Sequence, residues 1–287
     1  MKLSVSSYSF ARMHITQTEC VQRAHELGFS GIEFTNLVPP DGQMMPEYAA
    51  QLRDAATAAG MTINAYTVGA DLLTGSDGDL DAEVQRICGQ VDIAAALGAP
   101  VMRHDATYGL APGARAVGFD RVLPRLAEGC RRVTEYAAAR GIRTCVENHG
   151  LFCQDSDRVE KLMNAVDHPN FGWLVDVGNF LCADEDPVRA VGRAAPYAVH
   201  AHVKDFYIRS GNGRDPGEGF FRTRGMNYLR GAIVGQGDAP VAQCLSILQK
   251  AGYDGWLSIE FEGMEDPMYG IRVGRDNVCR MWPTEAR

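Results

Sequence analysis

The stretch Asp92-Ile93-Ala94-Ala95-Ala96-Leu97-Gly98-Ala99-Pro100-Val101-Met102-Arg103-His104 contains one complete copy of the unit that builds this chain. An Ala- and Leu-rich helical end runs into Gly98, which suits the left-handed residue that closes a helix, and Pro100 bars any continuation. A short apolar run follows, of a length and composition suited to a strand buried on both faces. The same order of helix, stop and strand recurs at 24–34 (AHELGFSGIEF), 54–66 (DAATAAGMTINAY), 136–148 (YAAARGIRTCVEN), 162–176 (LMNAVDHPNFGWLVD), 194–204 (AAPYAVHAHVK) and 249–261 (LQKAGYDGWLSIEF).

Seven such junctions and an opening strand near Leu3–Ser7 predict eight strands, paired in parallel through right-handed helical crossovers. With a final helix over roughly Pro267–Trp282, this predicts an α/β protein, a single-domain (β/α)8 TIM barrel spanning residues 1–287. An open doubly wound sheet should carry a glycine-rich phosphate-binding turn after its first strand, and the segment after Ser7 has none. One insertion, 206–241, separates strand seven from its helix and holds SGNGRDPGEGFFRTRG. A segment this polar and glycine-rich is either a disordered loop or a lid; leaving from the active-site end of the barrel, it is expected to be a lid.

A chain of 287 residues suffices for such a barrel, and 46% apolar with 22% charged residues is a globular composition. The formal net charge of −8 works against nucleic acid and anionic lipid as partners. Eight cysteines without a CxxC pair read as reduced thiols in a cytoplasmic protein. The N-terminus lacks the apolar core of a signal peptide, and no apolar run reaches the roughly 20 residues of a membrane span. A homo-oligomer or a small partner subunit remains open.

In such a barrel, chemistry belongs at the C-terminal ends of the strands. Four consecutive strands end in Glu147-Asn148-His149, Asp176-Val177-Gly178-Asn179, His202-Val203-Lys204-Asp205 and Glu260-Phe261-Glu262. Burying three carboxylates together is prohibitive without compensation, and a divalent cation removes the difficulty. Glu147, Asp176, His202 and Glu260 offer three oxygens and one nitrogen, a set suited to Mn²⁺ or Mg²⁺ and compatible with Co²⁺ or Zn²⁺. Separate salt bridges or loop caps are the bland alternative, less fitting for four strand ends in a row.

The ordered segments VENHG, LVDVGN, HAHVKDF and SIEFEG, together with GFSGIEF, AAALGAPVMR and NYLRG...GQGDAPV, resemble the xylose-isomerase-like barrel superfamily. Within it they are similar to the sugar phosphate isomerase/epimerase group, which includes ketose 3-epimerases and inosose isomerases and dehydratases. The resemblance implies that Glu147, Asp176, His202 and Glu260 hold one divalent metal ion, and that Glu147 and Glu260 are also the paired proton-transfer groups. Two carboxylates on opposite faces of a carbon next to a metal-polarised carbonyl can remove and return its proton. The implied function is a metal-dependent isomerase or epimerase of a sugar, keto-sugar or cyclitol. The alternatives are a dehydratase, a lyase that cleaves a keto-glycoside, or a catalytically silent sugar-binding subunit. A tri-metal endonuclease would need more histidines and a basic face.

Asn179 departs from the epimerase pattern, which has a substrate-binding histidine at that place; its amide can still contact a sugar. His149, in phase with Glu147, reads equally as an additional catalytic base, a hydroxyl-binding group or a partner of its own loop. Lys204, in phase with His202, either orients a substrate oxygen or pairs with Asp205 or Glu262. Glu262 competes with Glu260 for its role. His104, Asp105 and Glu33 are expected to line the pocket or cap loops, and Arg222 and Arg224 to close over substrate oxygens unless they are simply solvated. His200 is expected to be a satisfied barrel histidine, and Trp173 and Trp256 core residues.

Overall fold

The computed structural model describes residues 1–282 of the chain. Eight parallel strands close into a barrel: β1 (Lys2–Ser6), β2 (Gly31–Thr35), β3 (Thr62–Val68), β4 (Val101–His104), β5 (Arg143–Glu147), β6 (Phe171–Asp176), β7 (Ala198–Val203) and, after an insertion, β11 (Trp256–Ile259). Closure runs through β1, which pairs with β11 on one side and β2 on the other. Between the strands lie α1 (Gln17–Glu26), α2 (Met45–Ala58), α3 (Leu80–Leu97), α4 (Phe119–Ala138), α5 (Ser156–Val166), α6 (Pro187–Ala194) and α7 (Val241–Lys250), and α8 (Pro267–Met281) follows β11.

Each helix begins and ends for local reasons. Asp79 caps α3 by accepting from the Asp81 and Ala82 amides, and Gly98, at φ 77°, closes it in the left-handed region. Thr16 and Glu19 form a reciprocal capping box at the start of α1. The strands are buried on both faces, as β6 shows along its whole length, so burial along a strand does not tell inward residues from outward ones.

The insertion is an ordered antiparallel sheet, β8 (Asp205–Arg209), β9 (Phe221–Arg222) and β10 (Tyr228–Ala232), in the order β8-β10-β9. Asp205 fastens its ends by accepting from the amides of Phe206, Gly235, Gly237 and Ala239 at 2.8–3.0 Å. Among the described residues no helix is long and apolar enough to cross a membrane, and none of the eight cysteines is paired.

Candidate metal centre and active site

The ends of β5, β6, β7 and β11 meet at one mouth of the barrel. There Glu147, Asp176, His202 and Glu260 each present a ligand atom within 4.8 Å of all the others. His202 Nδ1 is the middle of the group, 3.5 Å from Glu147 Oε1, 3.6 Å from Glu260 Oε2 and 3.8 Å from Asp176 Oδ2. Its other nitrogen, Nε2, is held by both oxygens of Glu33 at 2.9 and 3.0 Å, which aims Nδ1 at the carboxylates.

Asp176 is fixed by its own loop. Its Oδ1 accepts from the Gly178 and Asn179 amides at 2.7 and 2.9 Å, leaving Oδ2 free to face the group. Gly178 is needed for this turn: a Cβ there would meet the Lys204 carbonyl oxygen at 2.7 Å. Asn148 braces the turn from below, its Nδ2 donating to the Asp176 carbonyl and its Oδ1 accepting from the Asp176 amide and from Trp173 Nε1.

Two buried cations balance part of the charge. Arg103 lies 2.5 Å from Glu147 Oε2 and 2.8 Å from Asp105 Oδ1. Lys204 lies 2.5 Å from Glu260 Oε2, 3.1 Å from Glu262 Oε1 and 3.4 Å from Asp176 Oδ2. Burial pushes the Glu147 carboxyl up, but Arg103 and His202 overcome it and hold it well below the usual range. For Asp176 burial wins over Lys204 and raises it to about 6. Burial disfavours charged His202 and Lys204, yet the surrounding carboxylates, Glu33 and Glu260 foremost, raise both well above their ordinary values.

Two fully buried atoms in the group, Asp176 Oδ2 and His202 Nδ1, accept and donate no hydrogen bond. Unpaired atoms of this kind, aimed at one point among three carboxylates, fit a divalent cation with an oxygen-rich ligand set. Glu147, Asp176, His202 and Glu260 are the residues that would hold it.

The group opens into a cavity of about 260 Å³ lined by Glu147, His202, Lys204, Glu260 and Glu262 and, at the ends of β1, β2 and β3, by Tyr8, Thr35, Asn36, Thr67 and Gly69. Arg103, Asp105, Tyr108 and His149 also line it. His149 is partly exposed, and its Nδ1 meets Asp105 Oδ1 at 2.9 Å, so it is tied to another strand and not to its own loop. Burial lowers the His149 imidazole, but Asp105 outweighs that and raises it.

Several expected positions fall elsewhere. His104 turns out of the cavity: it is fully buried with Nδ1 on the Asp105 carbonyl, and its in-strand neighbours Arg103 and Asp105 face in. Arg224 does not reach the mouth, because its guanidinium pairs with Asp155 and also donates to the Leu151 and Ala183 carbonyls. Arg222 stacks 3.6 Å over the Tyr228 ring and donates to its hydroxyl and to the Met226 carbonyl; it lines only a side cavity, with Asn179, His149 and Lys204. The Asn179 amide is engaged by the protein itself, donating to Glu147 Oε1 at 2.8 Å and accepting from Lys204. Glu33 lies inside the barrel and not on the pocket wall, shared by His200 at 2.6 Å and His202. Lys204 pairs with Glu262 as one reading had it, and with Glu260 as well, whereas Asp205 serves the insertion. Arg103 and Tyr8 were not singled out by sequence; an arginine inside an otherwise apolar strand is the one signal that pointed to the first.

A family model for the xylose isomerase-like TIM barrel matches residues 21–279. The rhizopine catabolism protein MocC of Rhizobium meliloti is 28% identical over 279 residues, covering 92% of this chain and 81% of that protein. An inosose dehydratase of Clostridium beijerinckii is 28% identical over 149 residues, half of this chain and 47% of its own length. In structure, the D-psicose 3-epimerase of Clostridium cellulolyticum H10 superposes with a TM-score of 0.76 at 16% identity, over 99% of this chain and all of that one. With the closed eight-strand barrel already in view, the match over nine-tenths of its length means that this chain belongs to the xylose isomerase-like TIM barrel family.

Proposed function

We propose that this protein is a divalent-metal-dependent enzyme that moves a proton at the carbon next to the carbonyl of a sugar, keto-sugar or cyclitol, and that the outcome is isomerisation or epimerisation. The observation that carries this reading is the placement of Glu147 and Glu260 in one small polar cavity, each in contact with a buried cation, Arg103 and Lys204 respectively. A bound divalent ion supplies Lewis-acid polarisation of the carbonyl and its neighbouring hydroxyl. Glu147, oriented by Arg103 and by the Asn179 amide, takes the proton at one face; Glu260, oriented by Lys204, returns it at the other. Lys204 and Arg103 offer donors to substrate oxygens. The sheet of residues 205–232 acts as the lid on the β7 side, and excludes water while the carbanionic carbon exists. Mn²⁺ is the metal we favour, and a cytoplasmic setting suits the unpaired thiols.

Dehydration is the second reading, and His149 favours it. Its raised imidazole, held by Asp105 at the cavity wall, is placed to protonate a departing hydroxyl after the same first step. The match to inosose dehydratase over half the chain agrees. The test is incubation of the metal-loaded protein with ketohexoses and inososes in deuterated water. Deuterium at the carbon beside the carbonyl is the expected result; loss of water from the product selects the second reading, and no exchange with any of them refutes both.

A further inference from the structure

The polar cavity does not end at its far wall. Beyond Tyr8, Thr35 and Asn36, which line both, a second and larger space of about 720 Å³ runs outward between the 3-10 segment Ser7–Met13 and the loop that precedes α2. Drug-sized ligands fill clefts of about 300–1,000 Å³, so the polar cavity alone is small and the groove is the roomier part. We propose that the groove holds a flat apolar substituent, of aryl type, carried by the same substrate whose polyhydroxylated ring sits in the polar cavity. This deepens the function proposed above and rests on it.

The chemistry of the groove argues for that occupant. Tyr8, Phe10, Ile15, Val38, Pro39 and Tyr48 supply its surface. Most of the polar side chains around it are committed to the protein, and two others, His14 and Asp41, are exposed to solvent. Ser7 Oγ accepts from the Thr35 amide, Thr35 Oγ1 bonds to Ser6 and Thr67, and Asn36 Oδ1 accepts from the Gly69 amide. Gln17 accepts from the Val38 amide and donates to the Thr35 and Asn36 carbonyls, and Thr16 is locked in its capping box. Among the described residues lining the groove there is no lysine or arginine, and Asp41 adds a carboxylate, which disfavours a phosphate or carboxylate there. An aryl ring asks for no counter-charge. Val38 is 72% exposed and Tyr8 45%, a cost in free energy that a covering apolar group removes.

Topology sets which end of the substrate goes where. In the closed order of strands, β1 and β2 stand across the barrel from β5 and β6. Glu147, at the end of β5, therefore stands across the barrel from Tyr8, while Glu260, after β11, is beside β1; a ring with one edge at Glu147 reaches toward Tyr8 and the groove with another.

The probes are methyl and phenyl 3-keto-β-D-glucopyranoside, compared on the metal-loaded protein by kcat/KM for solvent deuterium exchange and by direct titration. Burial of the phenyl ring should favour that probe by at least about tenfold, and the preference should collapse toward one in Val38→Asp and Ile15→Asp, which alter a loop rim and a half-buried edge. Equal exchange of the two probes, unmoved by either variant, overturns the groove and leaves the proton-transfer reading intact. If neither probe exchanges but phenyl still binds tighter and loses that gain in Val38→Asp, the groove stands and the proton-transfer reading falls. If the probes bind alike or not at all, or if the protein forms a dimer that Val38→Asp splits, the groove is not a substrate site.

Discussion

Two charged clusters share one histidine in this barrel, and they differ in what they leave unmade. The inner cluster is Glu33 between His200 and His202 Nε2, fully buried, with contacts of 2.6–3.0 Å that use every facing atom. The outer cluster, Glu147, Asp176 and Glu260 around His202 Nδ1, has three acids, two cationic neighbours and two buried atoms with no hydrogen bond. Both combine carboxylates with imidazole. One arrangement closes on itself and serves to orient; the other stays incomplete and faces a cavity. Unmet hydrogen-bonding capacity among three acids and next to a cavity, more than the presence of Asp, Glu or His, separates the candidate metal site from the closed network beside it.

If the outer cluster does the chemistry, Glu147→Gln should lower deuterium exchange by about 10²–10⁴-fold, the usual worth of a general base, while circular dichroism stays native. Arg103→Met leaves Glu147 and Asp105 buried against each other; a loss of about 3–5 kcal/mol in denaturant unfolding is expected for a broken buried pair. Glu33→Gln probes the link between the clusters. Its expected effect is a weakening of metal affinity by about 10–100-fold, as for other groups that orient a ligating histidine, read by competition with a chelator. His200→Asn should cost about 1–3 kcal/mol of stability through a lost buried hydrogen bond and leave metal content unchanged. A larger loss of metal in His200→Asn than in Glu33→Gln would reverse the roles drawn for the inner cluster.

The barrel was legible because each helix, stop and strand carries its own local chemistry, as at Gly98 and Pro100. So were the four strand-end residues, since each acid or imidazole directly follows an apolar run. Parity was not. Strands apolar on both faces lose the alternation that tells inward from outward, and this is why His104 was expected at the pocket along with Asp105, when Asp105 and the unnoticed Arg103 face it. Arg224 was misplaced for a different reason: its partner Asp155 lies 69 residues earlier, and only the folded chain brings them together. The insertion's composition left a disordered loop or a lid, with the lid expected; the sheet that Asp205 and the pairing of β8, β10 and β9 build is order that composition does not display.

The proposed chemistry requires a cation in the outer cluster. Metal analysis of the purified protein and of Asp176→Asn, which keeps the size of the side chain and removes its charge, tests this most directly. About one divalent ion per chain is expected in the native protein, largely lost in the variant. Equal metal content in the two proteins, or none in either after loading with Mn²⁺, would contradict it.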